Sequence, residues 1–141
     1  MIAYIDSSVL MRVLLGQPSA LAEFRRIERP VASKLLKVEG LRTLDRLRVR
    51  SLLSELEYVK AVQEFRDATD AVEWVEITDL VLDRVCGSFA VGLGTLDAIH
   101  LVSALVWQEK TKMRLTLLTH DVLLGRAARA LGFPVLGCIE D

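Results

Sequence analysis

Read by hydrophobic and polar positions, the chain alternates between short apolar runs and longer segments whose apolar residues recur every three to four positions. Ile2-Ala3-Tyr4-Ile5 is an apolar run that stops at Asp6, as a buried strand does. Helical spacing follows over Val9–Leu15, with Ser7 or Ser8 placed to cap it. A second helix fits Ser19–Glu28. Val31–Ser33 reads as a short strand, and Lys34–Arg48 as the helix after it. Ser54-Glu55-Leu56-Glu57 has the spacing of a capping box, which starts a helix running to about Thr69. Trp74–Ile77 alternates like a strand. Asp79–Phe89 and Thr95–Glu109 have helical periodicity, with Thr95 as the cap of the second. Leu115–Leu118 is an apolar strand, and a helix fits Val122–Leu131. Gly132 suits the left-handed end of that helix, and Pro134 prevents its continuation. Val135-Leu136 closes the series as an edge strand.

Short strands separated by helices indicate an α/β fold, with a parallel sheet covered by helices on both faces. Ligands of such folds bind at the carboxyl ends of the strands. The 141 residues amount to one domain, 1–141, able to bury a core without disulfides or structural metal. A chain that is 52% hydrophobic, with 18 basic and 19 acidic residues, is too apolar and too balanced for disorder. It has no apolar run of the roughly 18 residues that a membrane span needs. Asp6 and Arg12 interrupt the first apolar stretch, so no signal peptide is expected there. Cys86 and Cys138 form no CxxC pair and read as ordinary thiols of a reducing cytoplasm. His100 and His120 are too few for a zinc site.

Four acids change the picture. Asp6 and Asp121 each follow a strand, which puts both at the ligand-binding edge; either alone is commonly a helix cap. Asp97 lies in the first turn of a very apolar helix. A carboxylate there suits the helix dipole, but a buried one needs a partner or a cation. Glu39 shares a helix face with Leu35, Leu36, Arg42, Thr43 and Arg46, and alone reads as a surface pair with Arg42. Together, acids from four distant segments can meet at one sheet edge, where they repel unless divalent cations sit between them. An all-oxygen set suits Mg²⁺ or Mn²⁺. Such ions activate water and stabilise charge in phosphoryl transfer.

With these residues in view, the chain resembles the PIN-domain ribonucleases, and among them the VapC-type toxins of type II toxin–antitoxin systems. The resemblance is carried by Tyr4–Leu10, Ser33–Arg42, Leu96–Ala104 and Leu118–Ala128, closing on Leu131-Gly132. These come in the family's order and span almost the whole chain. Leu96-Asp97-Ala98-Ile99-His100-Leu101 and Thr119-His120-Asp121 are the most specific segments. The resemblance implies a PIN-like three-layer α/β/α fold with a short parallel central sheet. It also implies an endoribonuclease dependent on one or two Mg²⁺ or Mn²⁺ ions, with Asp6, Glu39, Asp97 and Asp121 as the metal-binding catalytic quartet. Water would attack the RNA phosphodiester in line, leaving a 5′ phosphate and a 3′ hydroxyl. Ser7 and Thr119 match hydroxyl positions of the family. They would support metal, water or phosphate, or serve only as turn and cap hydroxyls.

Implied partners are RNA, a VapB-like antitoxin whose tail covers the active-site groove, and a second copy in a homodimer. Exposed apolar side chains on Val9–Glu28 and Glu55–Thr69 are candidates for the protein contacts, although Phe24, Phe65 and most of the leucines suit the core better. Gly40 stands where the family usually has a larger apolar residue, and it weakens a helix by roughly 1 kcal/mol against alanine. His120 is expected to be a solvent-facing turn residue. His100 is expected to be a hydrogen-bonded core residue rather than a metal ligand.

Other functions fit less well. A haloacid-dehalogenase-like phosphatase would want a second aspartate two residues after Asp6, where Ser8 stands. A non-catalytic PIN-like binding module would have lost its acids, and all four are present. A PIN nuclease of RNA processing, without an antitoxin, keeps the same site and stays open. The net charge of −1 speaks against nucleic acid, but it averages two opposed regions. Residues 25–50 carry nine basic against three acidic side chains, and residues 51–83 carry two against nine. The basic stretch holds Glu39 beside Arg42 and Arg46, which are expected to contact RNA phosphates. The acidic stretch suits a basic antitoxin.

Overall fold

Successive side chains of a strand face opposite ways, and in this chain each direction finds a core of its own. A computed structural model of the chain describes residues 1–138; the last three residues of the domain expected over 1–141 lie outside the described residues. Five strands, β1 (Ile2–Ile5), β2 (Arg29–Ser33), β3 (Glu73–Val75), β4 (Thr116–Leu118) and β5 (Val135–Leu136), form one sheet in the order β3-β2-β1-β4-β5. Every neighbouring pair is parallel; Ala3 of β1 stands opposite Pro30 on one side and Thr116 on the other. The helices are α1 (Ser7–Leu14), α2 (Leu35–Val49), α3 (Glu55–Thr69), α4 (Asp79–Val85), α5 (Thr95–Thr111) and α6 (Val122–Ala130).

Tyr4, Val31 and Leu117 point to the face covered by α5 and α6, where they pack on Leu101, Trp107 and Leu124. Ala3, Ile5, Ala32 and Leu118 point to the other face, against Leu10 of α1, Leu36 and Leu44 of α2 and Phe65 of α3. The result is the expected α/β/α sandwich. The chain builds β2 and β3 on one side of β1, then crosses to build β4 and β5 on the other. The crevice at such a reversal is where α/β sheets bind ligands. Asp6 and the Thr119–Asp121 turn both lie there, and the Asp6 amide donates to the Leu118 carbonyl at 3.0 Å.

Several local expectations are corrected. The helix expected over Ser19–Glu28 is only a 3₁₀ turn, Ala22–Arg26, none of whose residues is fully buried. Short helices draw their stability from packing, which this segment lacks. α4 stops at Val85 rather than Phe89, ahead of a turn at Gly87, whose backbone freedom disfavours helix. Asp6, not Ser7 or Ser8, occupies the cap position of α1, and Gly94 rather than Thr95 that of α5. The capping box forms as expected: Ser54 Oγ accepts from the Glu57 amide at 3.1 Å, and Glu57 returns the bond to Ser54 N at 3.0 Å. Gly40 is buried where α2 meets α3, and a Cβ there would run into the Phe65 ring. The bulk that the resemblance expects after Glu39 comes instead from the neighbouring helix. Among the described residues, no helix is long and apolar enough to cross a membrane.

Candidate active site

β1 delivers Asp6 to the crevice, where the residue is 4% exposed. Asp6 caps α1 by position, yet its carboxylate makes no cap hydrogen bond and is held instead by hydroxyls. Oδ2 accepts from Ser8 Oγ at 2.6 Å and from Thr119 Oγ1 at 2.8 Å, while Oδ1 takes one long bond from Ser7 at 3.4 Å. Thr119 is fully buried and also accepts from the Asp121 amide at 3.0 Å. Its hydroxyl therefore joins the first and last acids and is closed off from any substrate. Ser8 does similar work, accepting from the His120 amide at 3.1 Å. Asp121 caps α6 through Oδ1, which accepts from Leu124 N at 2.8 Å, and leaves its other oxygen for different use.

Asp97, half-buried in the first turn of α5, feels the other acids. Burial, then the charges of Asp121 and Asp6, push its carboxyl above the ordinary range; His100 pulls it down and Glu39 adds to the rise. Glu39 does not form the expected surface pair with Arg42. Its Oε1 lies 2.5 Å from His100 Nε2, and Arg42 bonds Asp45 at 2.9 Å. His100 is the buried, hydrogen-bonded residue expected, with Nδ1 2.8 Å from the Tyr4 hydroxyl. His120 is not the solvent-facing residue expected: its Nδ1 bonds the Gly137 carbonyl at 3.0 Å, and its Nε2 is buried without a partner among the described residues. Gly137 and Cys138 lie against the Thr119–Asp121 turn on that side. The half-buried Cys138 thiol braces the same turn, 3.1 Å from the carbonyls of Thr119 and Asp121.

Beside Glu39 runs a cleft of about 410 Å³, lined by Ser7, Leu35, Val38, Arg42, Thr43, Arg46 and Leu96. Arg42 and Arg46 thus share a wall with Glu39, as their helix spacing requires. Arg46 donates to Thr43 Oγ1 at 3.1 Å. Arg42 is paired with Asp45, which also binds Arg48 at 2.8 Å.

Among the described residues, no three of the acidic, histidine or cysteine side chains stand close enough to grip an ion as placed. The donor chemistry still fits a hard divalent cation. Mg²⁺ ordinarily takes one or two carboxylates and completes its shell with water, so a cage of three acids is not required. Ser8, which spacing offers only as a cap, bonds Asp6 directly, and Tyr4, which spacing did not single out, is linked to Glu39 only through His100.

No family profile matches the chain. It is 31% identical to Ribonuclease VapC46 of Mycobacterium tuberculosis over 137 residues, which cover 94% of this chain and 95% of that protein. Its fold is similar to that of VapBC2 from Rickettsia felis, solved bound to a DNA fragment from their promoter. That match has a TM-score of 0.65 at 11% identity and covers 96% of this chain and 97% of the other. PAE2754 from Pyrobaculum aerophilum is similar in fold too, with a TM-score of 0.61 at 19% identity, over 96% of this chain and 84% of that one.

Proposed function

The chain belongs to the VapC ribonuclease family, and from that premise we propose that it is a metal-dependent endoribonuclease acting as the toxin of a type II toxin–antitoxin pair. The observation that carries the reading is geometric: at the reversal of the sheet order, Thr119 ties Asp6 to the Asp121 turn, and the buried His100 lies 3.7 Å from Asp6 and 2.5 Å from Glu39. Asp6, Glu39, Asp97 and Asp121 would hold one or two Mg²⁺ or Mn²⁺ ions. When bound, such an ion supplies positive charge at the phosphate and an acidified water.

The chain's own groups do the positioning. Ser8 and Thr119 fix Oδ2 of Asp6 and leave Oδ1 with one long bond from Ser7. Asp121 spends one oxygen on its helix and offers the other. Ser7 borders the cleft and would contact a phosphate or an ordered water. Arg42 and Arg46 on the cleft wall would hold the RNA backbone beside the acids.

The antitoxin would be VapB-like. Val49, Leu52, Leu56 and Val59, around the α2–α3 turn, stay 62–80% exposed and offer an apolar face to such a partner. Of the other helices suspected for this role, α1 spends Val9, Leu10 and Met11 on the core. Pairing of two copies belongs to the same proposal.

Purified protein and its Asp97→Asn variant, incubated with RNA and Mg²⁺, test the reading. The variant is expected to cleave at least about 10²-fold more slowly, on the scale of losing one group that stabilises developing charge. EDTA should stop the wild type, and the products should carry a 5′ phosphate and a 3′ hydroxyl. Cleavage that persists in EDTA, or a 2′,3′-cyclic phosphate product, would sink the proposal.

A further inference from the structure

Glu39 differs from the three aspartates in the length of its side chain and in what holds it. A glutamate on a helix face has three rotatable bonds, and such freedom must be removed before its carboxylate can act in a fixed geometry. His100 removes it. This imidazole is fully buried on α5, one turn after Asp97, with Nε2 2.5 Å from Glu39 Oε1 and 3.7 Å from Asp6 Oδ1. On its other side, Nδ1 is 2.8 Å from the Tyr4 hydroxyl, which accepts from the Ser33 amide at 3.1 Å.

The network fixes the orientation of the ring. An ionised Glu39 has only lone pairs to offer, so Nε2 carries the hydrogen. The Ser33 amide can only donate, so it occupies one lone pair of the phenol and fixes that oxygen beside Nδ1. Tyr4 is wholly buried, and burial above all pushes its ionisation far above the ordinary range, so it remains a donor. The imidazole is thereby held between two fixed partners, Glu39 at Nε2 and the Tyr4 phenol at Nδ1. A line of hydrogen bonds runs from the backbone of β2, through the phenol of β1 and the imidazole of α5, to the carboxylate of α2.

We propose that His100, held in place by Tyr4, is the positioning residue for Glu39, committing one carboxylate oxygen so that the other meets the divalent cation. The proposal rests on Glu39 being a metal ligand, as read above. A histidine serving only the core would leave metal affinity unchanged when replaced by an apolar residue of similar size. One that orients a ligand changes it, since outer groups of this kind typically contribute 10–100-fold in metal affinity.

The probe is Mn²⁺ alone, titrated by calorimetry and by the metal-induced rise in Tm, with RNA cleavage against Mn²⁺ concentration as a second readout. His100→Leu is expected to weaken Mn²⁺ binding by about 10–100-fold. His100→Gln, which keeps an N–H donor toward Glu39, should recover most of that loss. Tyr4→Phe, which removes the hydrogen bond that anchors the far side of the ring, should weaken binding in the same direction by less. In a Glu39→Gln background, His100→Leu should add nothing further, because its effect passes through Glu39. Folded His100→Leu and Tyr4→Phe proteins that bind Mn²⁺ like the wild type would overturn the proposal, as would full additivity with Glu39→Gln. If His100→Leu does not fold, Tyr4→Phe and His100→Gln decide the matter on the same measurements. Asp97→Asn separates the two levels: unchanged Mn²⁺ binding there removes the metal-site reading itself. A loss in Asp97→Asn with none in the His100 and Tyr4 variants removes this inference alone.

Discussion

Asp6 and Asp121 hold equivalent positions, each at a strand end and at the cap of a helix, yet they use their oxygens differently. Asp121 spends one on the Leu124 amide, whereas Asp6 spends none on its helix and is held by Ser8 and Thr119. Spacing alone places both residues at the sheet edge but cannot separate these uses. The difference lies in hydroxyls, and Thr119 reaches Asp6 across 113 residues of chain. His100 is legible as a buried histidine from its apolar neighbours, but not as a partner of Glu39, 61 residues away. The arginines divide in the same manner. Helix periodicity puts Arg42 and Arg46 beside Glu39, but Asp45 neutralises Arg42, while Arg46 has the uncharged Thr43. Replacing Arg46 with Ala should weaken RNA binding and lower its salt slope by about 1, the signature of one lost phosphate contact. Arg42→Ala should change the slope less. Filter binding across salt concentrations checks this, and equal slopes for the wild type and Arg46→Ala would contradict it.

Among the elements, those with their own local signals are the ones that spacing reads correctly. The capping box starts α3 where expected, and Gly132 adopts a left-handed φ of 85° after α6. The segment Ser19–Glu28 fails because amphipathic spacing does not say whether a partner surface exists, and none of the Ala22–Arg26 turn is fully buried. Gly40 shows the same limit from the other side. As a sequence feature it only weakens a helix; in the fold it lets the Phe65 ring, 1% exposed, lie against α2. Gly40→Ala would gain roughly 1 kcal/mol of helix propensity. It would also overpack a closed contact, at about 1–3 kcal/mol. Net destabilisation is therefore expected, with a lower urea midpoint at unchanged slope. A higher midpoint would mean that the ring gives way. Because Gly40 adjoins Glu39, the same variant should also lower cleavage.

For the whole molecule, the alternation along β1, β2 and β4 already contains the three layers, since each strand carries apolar residues on both faces. What alternation cannot give is how the acids affect one another once assembled. Burial and neighbouring acids raise the carboxyl of Asp97, so the folded chain holds that proton more tightly than the unfolded chain does. The sign is then fixed: the contribution is favourable at acid pH and is lost as pH rises through the raised folded value. Metal-free Asp97→Asn should therefore be more stable than the metal-free wild type near neutral pH, with the difference closing below the ordinary carboxylate range. Saturating Mn²⁺ should reverse the order. Urea unfolding in EDTA at the two pH extremes checks this, and a difference independent of pH would contradict it. The central place of β1 has a last consequence. Its amides are bonded on both sides, and Asp6 continues the ladder through its own amide to Leu118. Amides so placed exchange with solvent only when the whole molecule opens. Asp6 therefore has no local fraying route while the fold persists, and its hold on the sheet edge lasts as long as the native state.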